Sequence, residues 1–108
     1  MNLSLPAPVS AFFEISNGSN IAEITRCFAL NAVVVDEGQT YRGHGAIQSW
    51  QRDVQQKFEF TVEPVSVSQD GERLRVAANV VGNFPGSPAQ LDHVFGLVGD
   101  QIVSLEIG

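Results

Sequence analysis

The chain has 108 residues, 44% of them hydrophobic and 17% charged, with a formal net charge of −6. These values describe one ordered domain with its own core and exclude a disordered or low-complexity chain. Lys57 and five arginines form no basic run, which excludes nucleic acid and an anionic membrane as expected partners.

The opening segment "MNLSLPAPVSAFF" has neither a positive first region nor a continuous apolar stretch, so no secretory signal is expected. No apolar run nears the roughly 20 residues of a membrane-spanning helix. A single cysteine, Cys27, precludes an intrachain disulfide and suits a reducing compartment. The expectation is a cytoplasmic protein.

Pro6 and Pro8 mark the start of a first helix, where a missing backbone N–H breaks no bond. Val9, Phe12, Phe13 and Ser16 follow at helical spacing, and Asn17-Gly18 stops the run. Asn20-Ile21-Ala22-Glu23 has capping-box spacing and predicts a second helix with Ile21, Ile24 and Phe28 as its apolar stripe. The β-branched Val33, Val34 and Val35, then Asp36-Glu37-Gly38, then Gln39 to Arg42, read as a short hairpin. After Gly43 to Gly45, Ile47, Trp50 and Val54 share one side of a third helix.

Four strands follow. Phe58, Phe60 and Val62 alternate, but beyond Pro64 the apolar phase moves to Val65 and Val67, as a β-bulge would leave it. Asp70-Gly71 turns the chain into a strand with Leu74, Val76, Ala78 and Val80 on one face. Asn83 to Pro88 is a loop, and Gly99-Asp100 joins Gln90–Val98 to Gln101–Ile107. Three short helices before an antiparallel meander predict an α+β fold, a single domain over 1–108 with the helices on one sheet face. A bent sheet closing over a helix makes a cone, with a cavity expected at one end.

Within the segment Leu91-Asp92-His93-Val94-Phe95, neighbouring side chains point to opposite faces. Asp92 shares its phase with Val94, Gly96 and Val98, and His93 with Leu91, Phe95 and Leu97. An unpaired acid in an apolar strand is costly, so Asp92 is expected to face the cavity with a raised pKa. The plain alternative is a structural hydrogen bond, for which Asn79 is a candidate. His93 is then expected on the outer face.

The element order, and above all "VVVDEGQTYRGHGAIQSW", resembles the nuclear transport factor two-like superfamily, the cystatin-like α+β roll. The resemblance runs from about Pro8 to Ile107 and implies a cone-shaped roll. Three N-terminal helices would pack on a strongly bent, mainly antiparallel sheet. SnoaL-like polyketide cyclases and ketosteroid isomerases are its small-molecule enzymes. By that resemblance Asp36 stands where the isomerase's proton-abstracting aspartate stands. Asp92 stands where a protonated aspartic acid donates to the enolate oxygen. The isomerase's oxyanion-hole tyrosine is replaced by Phe12, so one donor of that pattern is absent.

The implied function is cofactor-independent acid/base isomerisation or cyclisation of a small apolar carbonyl compound. The alternative is a non-catalytic ligand-binding or dimerisation module of the same fold. Phe12, Val34, Trp50, Phe58, Phe84 and Val94 are the expected pocket lining, although aromatic residues at such spacing serve equally as core. His44 and His93 are far apart without ligand spacing, so no metal is expected. "RGHGAI" has too few glycines for a nucleotide site, and no cofactor is expected. The expected partners are a hydrophobic small molecule and a second copy. That copy would be held by an outer face carrying Leu91, Phe95 and Leu97 beside His93.

Overall fold

The structure, a computed structural model, describes residues 3–108; Met1 and Asn2 of the opening segment lie outside it. Helix α1 (Ala7–Ser16) has Pro8 in its first turn and buries Val9, Phe12, Phe13, Ile15 and Ser16. Asn17 ends it. The Asn17 amide donates to the Val62 carbonyl at 2.8 Å, and its side-chain oxygen accepts from the Val62 N–H at 2.7 Å. This amide pairing satisfies backbone groups on a strand edge that has no other strand beside it.

The second helix is shorter than its capping signal implies. Asn20 Oδ1 accepts from the Ala22 N–H, but it caps a 3-10 turn (Ile21–Glu23) that leads into one turn of α-helix, α2 (Ile24–Cys27). Phe28, expected on the helical stripe, instead opens strand β1 (Phe28–Asp36) by pairing with Ile102. Strand pairing overrides local helical spacing here. The hairpin forms as expected: β1 pairs with β2 (Gln39–Arg42) around Glu37 and Gly38, whose φ angles are 51° and 76°. Two positive φ angles match the twist of the flanking strands.

Helix α3 (Gly43–Lys57) buries Ile47, Trp50 and Gln51. His44 Nε2 donates to the Phe28 carbonyl at 2.8 Å, which pins the first turn of α3 to the start of β1. The remaining strands are β3 (Phe60–Asp70), β4 (Arg73–Gly82), β5 (Ala89–Val98) and β6 (Gln101–Ile107). The sheet order is β2-β1-β6-β5-β4-β3. The meander is antiparallel, but β6 returns parallel to β1 and so joins the hairpin to the long strands.

Register breaks fall between Pro64 and Ser66, between Gly96 and Leu97, and between Phe28 and Val33. The first lies where the apolar phase slips in the sequence. Each extra residue bends its strand, and the sheet curls over the helices. Phe12 occupies the middle of the concave side. Its ring lies 5.4 Å from Phe13, 5.9 Å from Phe28, 6.3 Å from Trp50, 6.2 Å from His93 and 5.7 Å from Phe95. Aromatic rings therefore fill the centre of the cone.

Gly82, the last residue of β4, pairs with Phe60 at the start of β3. A Cβ there would run into the Glu59 carbonyl and lie 2.6 Å from Phe60 Cβ. Gly82→Ala is therefore expected to destabilise the protein by about 1–3 kcal/mol through overpacking. Chemical denaturation measures it; an unchanged midpoint would mean that the start of β3 moves aside freely.

Candidate active site

Alternation along β1 turns Ala32, Val34 and Asp36 to the concave side. The first two are fully buried, and Asp36, at the strand end, is half-buried. Its cross-strand neighbours are Gln39 on β2 and Ile107 on β6. Helix α3 lies along β1, and the Trp50 indole N–H donates to Asp36 Oδ2 at 3.1 Å. Tyr41 leans on the same indole, ring to ring at 5.9 Å. The other carboxylate oxygen has no hydrogen-bond partner among the described residues.

Burial pushes the Asp36 carboxyl above its ordinary 3.8; the Trp50 N–H pulls the other way, and the nearby charge of Glu37 adds to the rise. Desolvation dominates. A carboxylate shifted upward, with one oxygen held and one free, is a stronger proton acceptor than a carboxylate in water.

β5 lies the other way round from the expectation. His93, Phe95 and Leu97 pair with Ile107, Leu105 and Ile102 on the concave side, while Asp92 and Val94 point outward. Arg75 Nη1 donates to Asp92 Oδ2 at 2.9 Å, and Arg75 also reaches Asp70 at 3.3 Å. The Asp92 side chain is 46% exposed. Apolar surroundings for this acid are absent, so Asp92 drops out as a donor to a bound oxyanion. Its expected partner Asn79 is instead bonded to Gln90. Val94 likewise leaves the expected pocket lining. Phe95, at 0% exposure, and Leu97 no longer form an outer apolar patch, which removes the reason given for a dimer on that face.

The physical reason is bulk. Both phases of β5 are apolar, but Phe95 and two leucines fill the cone better than Val94, Gly96 and Val98. A solvent-screened Arg75–Asp92 pair on the outside contributes little, whereas burying a phenylalanine contributes roughly 1.5–3 kcal/mol. The larger apolar set goes inward and carries His93 with it.

His93 is 4% exposed and is boxed by Phe13 at 5.2 Å, Phe12 at 6.2 Å and Phe95 at 6.4 Å. Its Nδ1 donates to the Leu91 carbonyl at 3.3 Å. Burial pushes the imidazole down to about 4, against the upward pull of the Leu91 hydrogen bond and the Asp92 charge. Sequence reasoning placed this residue on the outer face; the heavier apolar phase around it was the available signal.

Of the expected pocket residues, Phe12, Val34 and Trp50 belong to the packed core. Phe58 lines a hollow of about 260 Å³ with Asn17, Gln55 and Phe60, and Phe84 packs edge-on against it at 6.1 Å. A second hollow of about 180 Å³ lies between α1 and Arg26. Neither includes Asp36 or His93. Cys27 is buried, with its thiol pushed up to about 11 mainly by desolvation, so it behaves as a small apolar residue. Among the described residues, no three His, Cys, Asp or Glu side chains come together to hold a metal ion. Nor is any described helix long and apolar enough to cross a membrane.

Residues 9–105 match the SnoaL-like domain family. Among solved structures, a candidate polyketide cyclase from Sinorhizobium meliloti is 34% identical, with a TM-score of 0.90 over 96% of this chain and 95% of its own. A protein with a ketosteroid isomerase-like fold from Catenulispora acidiphila, in complex with trimethylamine, is 21% identical. Its TM-score is 0.83 over 97% of this chain and 86% of its own. A candidate isomerase of the SnoaL-like family from Agrobacterium tumefaciens is 15% identical, with a TM-score of 0.77 over 93% and 92%. No curated protein matches the chain.

His93 gives the protein an acid limb. A histidine held down to about 4 from 6.5 contributes stability that is fully present above 6.5 and is lost as pH falls through about 4. That difference corresponds to roughly 3 kcal/mol. Urea denaturation from pH 7.5 to 3.5 is expected to show a loss of this order for the wild type and a shallower one for His93→Phe. Parallel pH curves for the two proteins would contradict the burial of a neutral imidazole.

Proposed function

The chain belongs to the SnoaL-like domain family, and on that premise we propose that it performs cofactor-independent acid/base chemistry on a small molecule, with Asp36 as the proton acceptor. One observation carries the reading: Asp36 is a desolvated carboxylate at the end of β1, held by the Trp50 N–H through one oxygen and free at the other. Such a group is reachable and basic, and it is fixed in direction. The relatives named for polyketide cyclase and ketosteroid isomerase-like folds support the class. Both chemistries begin by removing a proton next to a carbonyl group.

A second reading has its own support. The isomerase pattern uses two donors for the developing oxyanion, and this chain has Phe12 in place of one while Asp92 points outward to Arg75. Loss of an oxyanion donor costs roughly 100- to 1000-fold in rate. That favours a ligand-binding module over steroid isomerisation in particular. Exchange at a carbon acid passes through the same enolate without reprotonation at a second carbon, and it separates the two readings.

Deuterium incorporation from heavy water, followed by NMR, tests the base directly. The wild type is expected to accelerate α-proton exchange in at least one of a 3-ketosteroid, a β-polyketone and an aryl ketone. Asp36→Asn is expected to slow that exchange by roughly 100-fold or more. Equal exchange by the variant, or none by the wild type across the three substrates, removes the base and leaves the binding module.

A further inference from the structure

The hollow beside Phe58 is separate from Asp36, and its lining has one chemical character. Helices α1 and α3, of 10 and 15 residues, both end there: Ser16, Asn17 and Gly18 close the first, Gln55 and Phe58 the second. The last-turn carbonyls of Ser16 and Gln55 accept no backbone hydrogen bond among the described residues. A helix C-terminus carries about half a negative charge. Two of them give the hollow a negative potential before any side chain is counted.

The side chains add to it. Gln55 Nε2 donates to the Ile15 carbonyl at 2.8 Å and to Gln51 Oε1 at 3.0 Å. Those two donations fix the amide and leave Gln55 Oε1 as an acceptor with no partner among the described residues. Gln51 in turn donates to the buried Ser16 Oγ at 3.2 Å, which anchors the arrangement. Glu59 stands on the rim and joins no ion pair among the described residues. Phe58 and Phe60 are half-buried and complete the lining. The Phe58 ring already draws a cation, since Lys57 Nζ lies 5.3 Å from its centroid. Donors are scarce: the Asn17 amide is bonded to Val62 and the Gly18 N–H to Ile15.

We infer that this hollow binds a primary ammonium ion carried on a short apolar arm. Its N–H groups donate to Gln55 Oε1 and the helix-end carbonyls, its charge faces Glu59 and the two helix ends, and the arm lies on Phe58 and Phe60. At about 260 Å³ the space falls below the roughly 300–1,000 Å³ of drug-sized sites, so the ligand is small. Lys57 is a built-in competitor for the Phe58 ring. The site does not use Asp36 and goes beyond the acid/base reading.

The test titrates 2-phenylethylammonium, 2-phenylethanol and trimethyl(2-phenylethyl)ammonium into the intact ¹⁵N-labelled protein, followed by NMR. The amide signals of Gly18, Gln55 and Glu59 are expected to move with the primary ammonium and to saturate at low millimolar concentration. The alcohol, which lacks the charge, should bind at least about tenfold more weakly. The trimethylated ion, which lacks the N–H donors, should bind about fivefold more weakly. Phe58→Leu should lose about threefold in affinity, and Lys57→Met should gain about threefold by vacating the ring. Arg73→Met changes the net charge equally, at the end of β4 away from the Gly82–Phe60 pair, and should leave affinity unchanged. Equal binding of the primary ammonium and the alcohol, or of the two ions, would overturn the inference. So would shifts confined to other residues, no saturation by about 50 mM, or equal effects of Lys57→Met and Arg73→Met. Deuterium exchange by Asp36 is untouched by any of these results.

Discussion

The packing of Phe12 at the centre of the cone is the constraint on which the rest depends. Its ring is 1% exposed and stacks on Trp50 with an interplanar angle of 3°. The opposite side of that stack is the indole whose N–H holds Asp36. A helix residue thus sets the position of a tryptophan, and the tryptophan aims a carboxylate that lies on a strand. Truncating such a ring costs roughly 3–5 kcal/mol in other cores. Surface ion pairs such as Arg73–Glu106, with side chains 52% and 58% exposed, are too weak to compete.

The same packing explains how an aspartate and a histidine exchange places on β5. Phe12 and Phe13 meet Phe95 and His93 from the helix side. The strand has to present its larger side chains to that surface, and the imidazole tolerates the position because it stays neutral and bonds to its own strand at Leu91. Asp92 has no such option: a carboxylate among those three aromatic rings would face a desolvation penalty that Arg75, on the outer side, avoids. The exchange takes the expected donor off the concave side and puts a neutral imidazole among the core rings.

Features set by a few adjacent residues were legible in the sequence. Glu37-Gly38 and Asp70-Gly71 carry their turn geometry locally, and the phase slip at Pro64 coincides with a register break. The resemblance to the isomerase marks Asp36, and a place on the inner stripe of α3 marks Trp50. The hydrogen bond between them was not legible, because it requires α3 to lie along β1. The parallel return of β6 beside β1 was equally hidden: it joins residues some seventy positions apart, and no local signal encodes it. The face of β5 was misjudged because both of its phases are apolar. Only the difference in bulk between Phe95 and Val94 separates them, and a single sequence weighs that poorly against a conspicuous acid.

The central claim is that Asp36 is a desolvated carboxylate steered by Trp50, and ¹³C NMR titration of its side-chain carboxyl tests that most directly. The expected midpoint lies above 3.8 in the wild type, because burial outweighs the indole hydrogen bond. In Trp50→Phe it moves higher still, since the lost N–H favoured the charged form. A wild-type midpoint at or below 3.8, or one that Trp50→Phe leaves in place, would contradict the account.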